Sequence, residues 1–199
     1  MLEIFIKGGP LMYPILACSV LALAIFLERL WTYLRVSKGL HLLVREVEGL
    51  VLKERIDEAI LVCQRSGTPL ARILIAALRN AGKPREQLKV AVEEVGGREA
   101  APLERYLGLL GTIASIAPLL GLLGTVFGMI EAFNVIALQG HGTPATLGGG
   151  ISQALITTAA GLTVAIPILL AHKYLSSRAD RMLLEMEEYS LHVVDLLGR

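Results

Sequence analysis

Three stretches of this chain carry no charged side chain, and they decide what it can fold into. Gly8 to Leu27 is such a run of 20 residues, Tyr106 to Ile130 one of 25 and Ile151 to Ala171 one of 21. A helix of roughly 20 apolar residues crosses a hydrocarbon core. Lipid offers the backbone no water, so its N–H and C=O groups must bond within the segment, and the helix is the natural solution. Composition agrees. With 54% hydrophobic residues and a mean hydropathy of +0.61 the chain is too apolar for a soluble domain, while 19% charged residues are too many for lipid alone.

Lysine and arginine give the orientation. Thr32 to Arg105 holds 13 of the 19, the tail after His172 holds four, and the stretch before the first run has only Lys7. The positive-inside rule then places the 32–105 segment and the tail in the cytoplasm, with the N-terminus and the Gly-rich loop outside. The expected fold is an all-α membrane protein of three transmembrane helices, with a cytoplasmic amphipathic helical segment and a helical C-terminal tail. Its parts are a first span over 8–30, the cytoplasmic segment over 32–105 and a second span over 106–138. A short outer loop over 139–150, a third span over 151–172 and a tail over 173–199 complete it. Only one cation, Lys7, precedes the first run, Pro10 and Pro14 interrupt it, and it continues past "ILAC" (15–18) to Leu27. That argues for a retained span rather than a cleaved or lipidated leader.

The cytoplasmic segment mixes its 13 cations with 10 acids, the pattern of solvated helix surfaces rather than of a nucleic-acid patch. Apolar residues recur there at three- and four-residue spacing. Thr68 before Pro69 reads as a helix start, and Leu70, Ile73, Leu74, Ala77 and Leu78 read as one buried face. A further helix from Pro84 is expected to run into the second span, with possible bends at Gly96, Gly97 and Pro102. No metal cluster, nucleophile–base pair or phosphate loop is recognisable, so neither a cofactor nor an enzyme is expected. Cys18 and Cys63 read as packing residues without a disulfide.

Two spans carry more information. In "APLLGLLGTVFGMIEAF" (117–133), Gly121, Gly124 and Gly128 are small residues at helical spacing that let another helix come close. In "GGGISQALITTAAGLTVAIP" (148–167), Gln153, Thr157 and Gly161 follow one another at four-residue steps, with Thr158 alongside. A threonine in lipid commonly bonds back to its own helix. A glutamine needs a partner helix, a water-filled cavity or the interface. A polar channel lining and a polar packing seam both accommodate these groups. No charged residue lies deep in a span, so a device that moves protons would have to borrow its titratable group from a partner.

The strings "PLLGLLGTVFGMIEAF" and "ISQALITTAAGLTVAIP", with the span order, resemble the MotA/TolQ/ExbB proton-channel family on its ExbB/TolQ side. The first is similar to that family's GL-x-GTV-x-G signature and the second to its I-x-E-A-L-x-x-T-A-x-G-L-x-x-A-I-P signature. The resemblance implies a homopentamer in the bacterial inner membrane, its second and third spans enclosing a cavity. There it would hold single-span helices of an ExbD/TolR-like partner that bring an essential aspartate. Proton flow would drive a TonB/TolA-like protein spanning the periplasm. By the same resemblance Thr125 and Thr158 match the motif threonines of the proton path, with Gln153 and Thr157 beside them. Gly121, Gly124, Gly128 and Gly161 would serve helix packing. Gln153 stands where many relatives have glutamate, and an amide cannot exchange a proton at accessible pH. A non-conducting scaffold that stabilises a partner helix is the alternative.

Overall fold

The computed structural model describes residues 2–37, 39–139 and 144–198. Among these there is no strand, and eight helices follow in order: α1 (Leu2–Lys7), α2 (Met12–Ser37), α3 (Leu40–Val51), α4 (Ile56–Ser66), α5 (Pro69–Arg79), α6 (Arg85–Glu104), α7 (Leu107–Gln139) and α8 (Pro144–Leu197). Three stretches, carried by α2, α7 and α8, are long and apolar enough to cross a membrane. The chain divides into two compact units: residues 1–28 with 106–175, and residues 29–105 with 176–199.

In the first unit α7 buries a stripe of Leu110, Ala114, Ala117, Gly121, Gly124, Gly128 and Ala132. The stripe on α8 is Gly150, Ala154, Thr157, Gly161, Ala165 and Ile168. Steps of three and four keep each stripe on one side of its helix. The other sides carry large exposed apolar groups, among them Leu119, Phe127 and Ile130 on α7 and Leu155, Leu162 and Ile166 on α8. In water such a surface would be a liability; in lipid it costs nothing, and helix association then rests on close packing.

The second unit is built from amphipathic helices, and α5 shows why the sequence was readable there. Thr68 Oγ1 accepts from Ala71 N–H at 3.3 Å, Pro69 starts the helix, and Leu70, Ala71, Ile73, Leu74, Ala77 and Leu78 are buried. Arg72 joins α5 to α6 through Glu99 at 2.7 Å, and Arg85 reaches Asp195 of the tail at 2.8 Å.

Two expectations are corrected. α6 passes through Gly96 and Gly97 as helix but does not run into the second span: it ends at Glu104, and Tyr106 takes a left-handed φ of +66°. The break is stabilised by side chains from α2, which cap the final carbonyls. Arg29 Nη1 donates to Pro102 O at 2.8 Å and the Tyr33 hydroxyl to Leu103 O at 2.7 Å. The outer loop placed at 139–150 is likewise helical from Pro144, which has no N–H to lose at a helix start; residues 140–143 lie outside the described ones. α8 then stays helical across Pro167 to Leu197, so the third span and the tail form one element.

Candidate functional site

The polar residues of the third span sit where α7, α8 and the N-terminal elbow meet. The α7–α8 seam is set by glycine. A Cβ added at Gly121 would lie 3.1 Å from Thr157 O, one at Gly124 2.4 Å from Thr157 Cγ2, and one at Gly161 2.6 Å from Ala117 O. One at Gly128 would lie 2.7 Å from Gly150 O. Residues ascending along α7 meet residues descending along α8, so the two helices pack antiparallel with backbones nearly touching. Ala117, Ala132, Gly150 and Ala154 belong to this seam as well. The sequence reading left them out, though Ala117 and Ala132 lie four residues from Gly121 and Gly128, Ala154 lies three from Thr157, and Gly150 four from Ala154.

Thr158 and Thr125 are half-buried at the edge of the seam. The Thr158 hydroxyl donates across it to Gly121 O at 3.0 Å, and the Thr125 hydroxyl donates back to Leu122 O at 2.6 Å in its own helix. With about 100° per residue, and the helices antiparallel, both threonines fall on the same flank of the pair.

Gln153 and Thr157 point elsewhere. Gln153 and Thr158 are about 140° apart round α8, and the Gln153 amide lies on Gly9, where an added Cβ would be 2.2 Å from Nε2. Thr157 is 0% exposed. Its hydroxyl has two acceptors at 2.8 Å, Gly8 O and Gln153 O. The four polar residues expected to face one cavity are therefore divided within the protomer, two toward an open flank and two toward the N-terminal elbow. The cause is the elbow itself: α1 stops at Lys7, Gly9 takes φ +73°, and the freed Gly8 carbonyl is buried against α8. A buried carbonyl needs a donor, and Thr157 supplies it. The Gly8–Gly9 pair before Pro10 was the signal in the sequence, a turn ahead of a span.

Toward the C-terminal end of the third span, His172 of α8 lies on Gly111 of α7, with an added Cβ 3.0 Å from Nε2. No group of His, Cys, Asp or Glu among the described residues could hold a metal ion.

Residues 65–188 match the MotA/TolQ/ExbB proton channel family. A biopolymer transport protein of Synechocystis sp., ExbB-like 1, is 37% identical over 180 residues, which are 89% of this chain and 71% of the relative. An ExbB homolog of Methanothermobacter thermautotrophicus is 32% identical over 180 residues, 90% of this chain and 64% of the relative. The Tol-Pal system protein TolQ of Pseudomonas aeruginosa is 41% identical over 86 residues, 43% of this chain and 37% of the relative.

Proposed function

The chain belongs to the MotA/TolQ/ExbB proton channel family, on its ExbB/TolQ side, and from that premise we propose that it is the channel and stator subunit of a proton-driven motor in the bacterial inner membrane. In this reading several copies, five by the family's pattern, surround single-span helices of an ExbD/TolR-like partner. Proton flow between them energises a TonB/TolA-like protein that reaches across the periplasm. The N-terminus is then periplasmic and the C-terminus cytoplasmic, in keeping with 13 of 19 cations between Thr32 and Arg105.

One observation carries the reading. Thr125 and Thr158 present hydroxyls on one flank of two helices whose charge-free runs contain no carboxylate. A hydroxyl bonded to a carbonyl can donate and accept, so it can solvate or pass a proton, but it cannot be the group that titrates. The partner's aspartate fills that place. Gly121, Gly124, Gly128 and Gly161 hold the two helices close enough to keep both hydroxyls on one edge.

Proton flux into liposomes tests this. The chain alone is expected to give only background leak. Together with its single-span partner it should conduct, and replacing the partner's intramembrane Asp by Asn should stop conduction without dispersing the complex. A complex that assembles and stabilises the partner yet never conducts would establish the scaffold instead.

A further inference from the structure

The segment ahead of the first span is bound in a way that the channel reading does not use. Phe5 of α1 meets Tyr13 of α2 edge to face at 5.2 Å, so α1 and the start of α2 are tied together. Between them Gly8 and Gly9 lie against α8. The Gly8 carbonyl accepts from Thr157 at 2.8 Å. A Cβ at Gly8 would meet Met12 Cγ at 2.5 Å and Ile156 Cγ2 at 3.3 Å, and one at Gly9 would meet the Gln153 amide at 2.2 Å. Gly9 also needs the φ of +73° that L side chains rarely adopt. Another residue at either position would have to displace a neighbouring side chain, and the Gly8 carbonyl and Gly9 both rest on polar side chains of the third span, Thr157 and Gln153.

We infer that α1 with the Gly8–Gly9 elbow is a strap closed over Gln153 and Thr157, and that these two residues position the strap rather than line the ion path. The Thr157 hydroxyl gives the strap two states at low cost. It has a single proton and two acceptors at equal distance, Gly8 O and its own Gln153 O. When the strap lifts, the hydroxyl keeps the intrahelical acceptor, an ordinary arrangement for a threonine in a helix, and the freed Gly8 carbonyl reaches water. A locally bistable contact of this kind responds to anything that binds one state better than the other. The amide at position 153 suits a seat: it adds no charge beside the elbow backbone, where a carboxylate would bring charged oxygens and no N–H.

The labelling rate of a cysteine under the strap tests the inference, and it needs neither partner nor proton flux. The full chain carries Ile156→Cys in a Cys18→Ala, Cys63→Ala background, is held in lipid nanodiscs, and meets a charged methanethiosulfonate from both sides. The parent should react slowly and Thr157→Ser equally slowly, because the hydroxyl is kept. Thr157→Val should react about three- to tenfold faster, the population shift expected for losing one hydrogen bond. Gln153→Glu should also react faster. Gly9→Ala, which disturbs the elbow from its own side by bringing a methyl group against the Gln153 amide, provides the same acceleration should Thr157→Val fail to assemble. A Gly9→Ala rate equal to that of the parent, or a Thr157→Val rate equal to that of Thr157→Ser, overturns the strap.

Discussion

At the scale of single residues, three threonines on two neighbouring helices should behave differently because their hydroxyls do. Thr125 bonds within its own helix, Thr158 bonds across the seam, and Thr157 satisfies a buried carbonyl of another segment. Thr125→Val and Thr158→Val keep the shape and should cost about 0.5–1.5 kcal/mol or less. If the hydroxyls handle the proton, energised-partner activity should still fall by about a hundredfold, the lower range for a positioned proton-handling group. Native gels must show intact assembly beside that loss; full activity in both variants would make the hydroxyls packing groups. Thr157→Val should cost a similar amount but show it differently, by releasing the elbow, since the Gly8 carbonyl loses its donor and turns to water. Cys63, buried in α4, gives a second residue-scale test. Burial, and secondarily the charge of Glu46, pushes its thiol up from 9.0 to about 11. The folded thiol thus keeps its proton where the unfolded one has lost it, so the folded state binds more protons and stability falls as pH rises. That contribution is whole below 9.0 and is lost between 9.0 and about 11. Iodoacetamide at pH 8.5 should leave Cys63 unmodified in native protein and modify it after unfolding.

At the scale of elements, the glycines divide by what a methyl group would meet. At Gly161 it would meet the backbone oxygen of Ala117 at 2.6 Å, and backbone cannot swing aside. Gly161→Ala must part α7 from α8, costing about 1–3 kcal/mol as overpacking commonly does. Gly49, inside α3, has nothing within 4 Å of an added Cβ, so Gly49→Ala should gain about 0.5–1 kcal/mol of helix stability. Thermal unfolding in detergent should order the two on opposite sides of the parent. The same contrast explains what the sequence disclosed. The buried face of α5 was legible because its period and its Thr68–Pro69 start are local. So were the glycines of the α7–α8 seam as close-packing candidates. The end of α6 was not, because it depends on Arg29 and Tyr33, some 70 residues earlier, reaching the Pro102 and Leu103 carbonyls. Nor was the division between Gln153 and Thr158. Their angle round α8 is fixed by counting, but only the position of the elbow says which side is covered.

At the scale of the whole molecule, the open question is whether copies of the chain share one conducting space. The protomer leaves Thr125 and Thr158 half-buried on one flank, and its charge-free runs lack a carboxylate. If five such flanks enclose a partner helix that must pass each of them as it turns, one defective flank obstructs the cycle for all. If each protomer conducts independently, a defective copy removes only its own share. Equal co-expression of parent and Thr158→Val chains separates these cases. Random mixing in a closed ring of five leaves about 3% of rings without a defective copy, whereas independent protomers would retain about half of the activity. The measurement is energised-partner activity against the ratio of the two chains, with that ratio in the purified ring determined by mass spectrometry. A steep, more than proportional loss is expected. A linear loss would mean that the flank bearing Thr158 is not part of a shared path, whatever the stoichiometry of the ring.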